Sequence, residues 1–120
     1  MTKRTLVVGA SEKPYRYSNK AIRLLRRYDH PVVAIGLREG KVEDVEIKKG
    51  FPDFEEIHTV TLYVGPPRQP QFYDYILGLR PERIIFNPGT ENDEFEEMAA
   101  EKGIEVVENC TLVMLSSGLF

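Results

Sequence analysis

Leu6-Val7-Val8-Gly9-Ala10-Ser11, followed by Glu12-Lys13-Pro14-Tyr15-Arg16-Tyr17-Ser18-Asn19, is the stretch whose reading decides the fold. Three apolar residues run straight into Gly9, small residues follow it, and Ser18-Asn19 then opens a helical pattern. That order reads as a buried parallel strand, a tight turn, a short loop and a helix N-terminus. In open α/β sheets a nucleotide phosphate sits in this first strand-to-helix crevice, because unpaired N–H groups and the helix dipole both favour an anion. The full G-x-G-x-x-G fingerprint is absent, since Gly9 is followed by Ser11 and no third glycine.

Working outward, residues 5–8 form the first strand, apolar enough to be covered on both faces. Ser18 or Asn19 is the expected N-cap of a helix in which Ala21, Ile22, Leu24, Leu25 and Tyr28 recur at helical spacing. Asp29-His30-Pro31 stops it, and residues 32–35 make a second buried strand ending at Gly36. The next segment is charged and broken by glycines. Within it residues 45–47 read as a short strand or an extended arm, Phe51-Pro52 as a turn, and Asp53 as the start of a single helical turn. Residues 58–64 are a third strand, rich in β-branched and aromatic side chains and closed by Gly65-Pro66-Pro67. A helix is expected over residues 69–79, closed by Gly78 and Pro81, and a strand over 83–86, ended by Asn87-Pro88-Gly89. Thr90 or Asn92 then caps a helix that ends at Lys102-Gly103, residues 104–107 form a fifth strand, and residues 111–120 fit either a helical turn or a strand. The alternation predicts an α/β single domain over residues 1–120, Rossmann-like and doubly wound, with a mostly parallel five-stranded sheet.

Composition narrows the function classes. A chain of 120 residues with 29% charged and 42% apolar residues has the make-up of one globular domain. A net charge of −3 argues against a general nucleic-acid surface, though not against a local basic pocket. No apolar run approaches the roughly 20 residues of a membrane span, and no secretory apolar region follows the basic N-terminal residues. The single cysteine, Cys110, excludes an internal disulfide and fits a reducing cytoplasm.

Four strand ends are expected along one edge of the sheet: Gly9-Ala10-Ser11, Gly36-Leu37-Arg38, Val64-Gly65-Pro66 and Asn87-Pro88-Gly89-Thr90. Each carries a glycine where the chain leaves the strand, which suits a close backbone approach to a ligand; glycine is also simply common in such turns. An NAD site places an acid at the second strand end to hold the ribose diol. Here Arg38 stands there instead, suited to a phosphorylated ribose or else a solvated loop cation. Tyr15, Arg16 and Tyr17 offer aromatic faces and a cation that could pack on an adenine or a pantetheine arm, or on the first helix. Groups for catalysis are sparse. His30 and His58 fall at helix-stop and strand-start positions, Cys110 has no partner base, and Glu91, Asp93, Glu94, Glu96 and Glu97 read as a solvated helix start.

Several segments taken together point to a family: Val7 to Ser11 with Pro14, Arg16 and Ser18; Gly-Phe-Pro-Asp-Phe-Glu-Glu-Ile from Gly50; Asn-Pro-Gly-Thr-Glu-Asn from Asn87; and Val-Val-Glu-Asn-Cys from Val106. With these the chain resembles the stand-alone bacterial CoA-binding domain proteins, themselves similar to the front domain of the succinyl-CoA synthetase α subunit. The resemblance implies CoA, or an acyl-CoA, with its adenosine-phosphate part over Gly9-Ala10-Ser11 and the second strand end. The pantetheine would then lead toward the third and fourth turns. The contacts so implied are Gly9, Ala10, Ser11, Lys13, Arg16, Tyr17, Ser18, Asn19, Gly36, Leu37, Arg38, Val64, Gly65, Pro66, Asn87, Pro88, Gly89 and Thr90. The synthetase's phosphohistidine belongs to a further domain, so ligase activity is not expected. The reading is a CoA-binding protein without chemistry of its own. The alternatives are an NADP- or NAD-binding or redox-sensing module, and an interaction protein with a vestigial pocket.

Overall fold

The structure is a computed structural model and describes residues 2–120. In chain order the elements are β1 (Thr5–Val8), α1 (Tyr17–Arg27), β2 (Val32–Ile35), β3 (Gly40–Val42), β4 (Val45–Lys48), β5 (Thr59–Leu62), α2 (Tyr73–Leu79), β6 (Arg83–Phe86), α3 (Asp93–Glu101), β7 (Glu105–Glu108) and α4 (Thr111–Ser117). The strands form one sheet in the order β3-β4-β2-β1-β5-β6-β7. Every pairing is parallel except that of β3 with β4. Alternate strand residues feed two cores. Leu6, Val8, Val60, Leu62, Ile84 and Phe86 meet Tyr73, Ile76, Phe95 and Ala99 of α2 and α3. Val7, Ala34 and Ile47 meet Ile22 and Leu25 of α1 and Leu115 of α4. Helices on both faces of a parallel sheet are the doubly wound, Rossmann-like arrangement that the βα alternation predicts. No helix among the described residues is long and apolar enough to cross a membrane.

The sheet has seven strands, not five. The two extra strands come from the charged, glycine-broken segment, where β3 and β4 form an antiparallel hairpin and β4 joins β2 in parallel. Val42, Val45 and Ile47 are buried while Lys41, Glu46 and Lys48 are exposed. Residues 45–47, expected as a short strand or an extended arm, fall in β4; the alternation in β3 is too short to stand out from the charge around it. Other boundaries shift for local reasons. Helix α1 starts at Tyr17, with Arg16 at the cap position and no side-chain cap, so Ser18 and Asn19 are buried helical residues rather than N-caps. The expected helical turn at Asp53 is not formed. The expected helix over 69–79 is shortened to α2, behind two 3₁₀ turns at Pro66–Arg68 and Pro70–Phe72. The prolines there lack the N–H that a continuous helix needs. Arg80, left-handed at φ 52°, ends α2, and Gly78 lies within it. Asn92 is the N-cap of α3, accepting from the Phe95 amide, and Thr111–Ser117 is helical.

The two histidines sit at the N-terminal ends of β2 and β5, away from the edge where the glycine turns lie. His30 Nδ1 accepts from the Lys3 amide (3.0 Å) and its ring packs on Phe120 (4.8 Å between centroids). Burial, followed by the Lys3 and Arg83 charges, pushes its pKa below the usual histidine value. Burial also lowers that of His58, outweighing Glu82. The unfolded chain therefore takes up these protons at a higher pH than the native one, and stability falls as pH drops below about 6.5. Urea midpoints measured between about pH 7.5 and 5.5 should decline across that window. The decline should flatten in a His30→Gln, His58→Gln double variant; an undiminished slope there would assign it to the carboxylates.

Candidate functional site

At the C-terminal edge of the sheet, two backbone contacts draw β1 and β2 together. The Gly9 and Ala10 amides both donate to the Ile35 carbonyl, at 3.0 and 2.9 Å. Gly9 is left-handed at φ +92°, and a Cβ on it would stand 2.9 Å from the Tyr63 carbonyl oxygen and 3.0 Å from Val64 Cγ2. A Cβ on Gly36 would overlap the Ala10 carbonyl oxygen. These glycines therefore hold strand ends against one another, and the first two amides of the turn are spent on Ile35. The Ser11 and Glu12 amides have no protein acceptor among the described residues. Asn19 braces the loop by donating from Nδ2 to the Ser11 carbonyl (2.9 Å).

Around this contact lies a groove with two lobes. The first, about 370 Å³, runs along Gly9 to Lys13, Arg16, Leu37, Arg38, Tyr63, Val64 and Arg68. The second, about 230 Å³, is bounded by Ile35, Gly36, Leu37, Lys49, Gly50, Phe51, Val64, Arg68, Gln71 and Phe72, and also touches Gly9. Lys13, Arg16, Arg38 and Arg68 converge on the first lobe, are exposed, and take part in none of the ion pairs among the described residues. Elsewhere Arg23 and Arg26 are paired with Glu43 and Asp44. A protein of net charge −3 thus keeps four free cations at one edge, which is a local field suited to a polyanion. Glu12 is the one acid in that lobe among the described residues, and its carboxylate accepts from the Lys41 amide (2.9 Å).

Of the residues expected at the site, Gly9, Ala10, Ser11, Lys13, Arg16, Gly36, Leu37, Arg38 and Val64 line the groove. Tyr17 is exposed outside it with Lys20 over its ring at 5.2 Å, and Ser18 and Asn19 are buried in α1. Gly65 and Pro66 lead into the 3₁₀ turn that carries Arg68 back to the groove. Asn87 to Thr90 lie apart from both lobes and hold the fold together. Asn87 donates from Nδ2 to Thr61 Oγ1 (2.7 Å) and the Leu62 carbonyl (2.8 Å), and its Oδ1 accepts from the Thr111 amide (2.9 Å). Thr90 Oγ1 donates to the Asn87 carbonyl (2.8 Å). Buried Gln69 donates to the carbonyls of Val64 (2.9 Å) and Thr90 (2.7 Å), tying the third turn to the fourth.

Sequence reading missed Arg68, Phe51 and Phe72. The Pro66-Pro67-Arg68 run was the one available signal, since consecutive prolines at a strand end favour a tight turn that folds the next side chain back. Tyr63 lines the first lobe, and burial pushes its phenol well above the ordinary tyrosine range, so it stays neutral at physiological pH. Cys110 is half-buried at the N-cap of α4. Asp93, Glu96 and Glu108 bring carboxylate oxygens within 4.8 Å of one another. Glu96 accepts from the Asn92 amide at the start of α3 (3.1 Å), and burial, with Glu108 beside it, raises its pKa.

Fold and groove together give a Rossmann-like α/β domain with a basic cleft at the C-terminal edge of its sheet. The family described as CoA binding domain matches residues 3–116, and the chain belongs to that family. A crystal structure of an uncharacterized protein is 46% identical over 100% of this chain and 99% of its own, with a TM-score of 0.97. A protein from Thermus thermophilus is 24% identical over 99% of this chain and 91% of its own, TM-score 0.88. A hypothetical protein from Pyrococcus horikoshii OT3 is 23% identical over 98% of this chain and 84% of its own, TM-score 0.86. The last two bear on the fold alone. No curated protein matches the chain.

The glycine contacts separate turn architecture from ordinary surface. Gly9→Ala and Gly36→Ala should each destabilise the protein by about 1–3 kcal/mol, through left-handed strain and backbone overlap respectively. Gly65→Ala, whose Cβ meets nothing closer than Pro67 Cδ at 3.9 Å, should stay within about 0.5 kcal/mol of wild type. Chemical denaturation of the three variants checks this; equal stabilities would show that the strand ends can part at little cost.

Proposed function

We propose that the protein binds coenzyme A in this groove, and does so without turnover of its own. The observation that carries the reading is the convergence of Lys13, Arg16, Arg38 and Arg68, none of them in an ion pair, on one lobe of a cleft whose other lobe is lined by Ile35, Leu37, Phe51, Val64 and Phe72. CoA presents matching chemistry: a diphosphate and a 3′-phosphate for the cations, and a flat adenine for the apolar lobe. The Ser11 and Glu12 amides supplement the cations at the diphosphate. Family membership supports the choice of ligand. In this reading the adenine lies between the ends of β2 and β5, and Arg38 at the second strand end meets the 3′-phosphate by a charge-assisted contact.

The test is a titration of wild type and Arg38→Ala with CoA, dephospho-CoA, acetyl-CoA and NADP at fixed ionic strength, because exposed charges are screened by salt. A phosphate contact of this kind is worth about 1.5–3 kcal/mol, or roughly tenfold to a hundredfold in affinity. Arg38→Ala should weaken CoA by that order and leave dephospho-CoA almost unchanged. Equal loss for both forms, or none, would leave Arg38 a solvated cation. Wild-type binding of NADP in preference to CoA would replace the ligand altogether.

A further inference from the structure

The basic lobe of the groove holds one carboxylate among the described residues, that of Glu12. Glu12 lies in the basic lobe beside Lys13 and close in the chain to Arg16, yet its side chain is turned away toward the β3–β4 hairpin. There Oε2 accepts from the Lys41 amide at 2.9 Å. The stem of the side chain and Oε1 rest against Gly40, so closely that a Cβ on Gly40 would collide with Glu12 Cγ, Cδ and Oε1. Gly40 is not among the left-handed glycines. Its backbone is one that alanine adopts without strain, so what its missing side chain provides is the seat for Glu12. On the other side of the loop, Lys13 N donates to Ser11 Oγ (3.1 Å) and Asn19 Nδ2 to the Ser11 carbonyl (2.9 Å), which fixes the point from which Glu12 departs.

We infer that Gly40 and the Lys41 amide form a latch that holds the Glu12 carboxylate off the anion subsite, and that release of this latch places the carboxylate among Lys13, Arg16, Arg38 and Arg68. The inference rests on the reading of the groove as a phosphate site. The physical grounds are simple. A carboxylate free to rotate beside four unpaired cations is drawn to them, and it then occupies charges that a ligand phosphate needs. On the hairpin it has a charge-assisted acceptor role instead, which leaves the cations open. The hairpin, an addition to the edge of the sheet, thereby becomes part of the binding apparatus without touching the ligand, and the Glu12 side chain, unlike its amide, acts by position rather than by contact.

Coupling between the two positions tests this. Gly40→Ala should weaken binding of CoA, and of inorganic pyrophosphate as a second probe, by about tenfold, the loss of one charge-assisted contact. The loss should shrink as salt is raised. In a Glu12→Gln background, where the displaced side chain carries no charge, the same Gly40→Ala change should cost no affinity, and Glu12→Gln alone should bind as well as wild type or better. An equal loss in both backgrounds would mean that alanine merely distorts the sheet edge, and no loss in the wild-type background would mean there is no competitor; either result overturns the latch. Amide exchange reads the latch without any ligand. Lys41 N–H should be protected in wild type and Glu12→Gln and exposed in Glu12→Ala and Gly40→Ala, and identical protection in wild type and Glu12→Ala would also overturn it. Pyrophosphate binding that keeps this coupling in the absence of any CoA binding would support the latch and sink the CoA reading alone.

Discussion

The carbonyl of Ile35 takes two amides, those of Gly9 and Ala10, and the C-terminal edge of the sheet depends on that shared acceptor. It holds the end of β2 against the turn after β1 at a separation that leaves no room for a Cβ on Gly36, while Gly9 lies against the Tyr63 carbonyl at the end of β5. Three parallel strand ends are thereby locked by main-chain contacts alone. A side-chain contact could be replaced by another of similar size, but a backbone contact at this distance admits only glycine. The groove walls on either side inherit their positions from it.

The second determinant is the partition of charge. Acids outnumber bases, 19 to 16, yet the cations at the C-terminal edge are unpaired whereas Arg23 and Arg26 on α1 are neutralised by Glu43 and Asp44 of the hairpin turn. Unpaired exposed cations repel one another modestly in water and contribute little to folding. The hairpin thus has two electrostatic roles, taking up surplus charge from α1 and holding Glu12.

Polar groups at the remaining strand ends serve the fold. Asn87 joins β5, β6 and the first amide of α4 through one buried amide side chain, and Gln69 joins the turns after β5 and β6. Each satisfies backbone groups that would otherwise be buried without partners, an omission that costs about 1–3 kcal/mol apiece. The Asn87 to Thr90 turn carries a glycine like the others, and its side chains are hydrogen-bonded into the fold rather than lining either lobe of the groove.

The doubly wound class, its mostly parallel sheet and the tight turn at Gly9 were legible in the chain. So were Lys13, Arg16 and Arg38, because apolar runs, glycine stops and cations just beyond them are local patterns, set by steric and hydrophobic preferences within a few residues. Of the hairpin, residues 45–47 were legible as a short strand or an extended arm, but β3 and the joining of both to the sheet were not, since so short an alternation is stabilised by the neighbour β4 finds in β2 rather than by any preference of its own. Arg68, Phe51 and Phe72 reach the groove only because the turns after β4 and β5 fold back toward Gly9. The second strand end lacks an acid of its own, and tertiary structure supplies Glu12 beside it from the first loop. The sequence by itself therefore determined the scaffold and the edge along which its glycine turns gather. Which side chains meet at that edge was decided by contacts between distant segments, which no local pattern encodes.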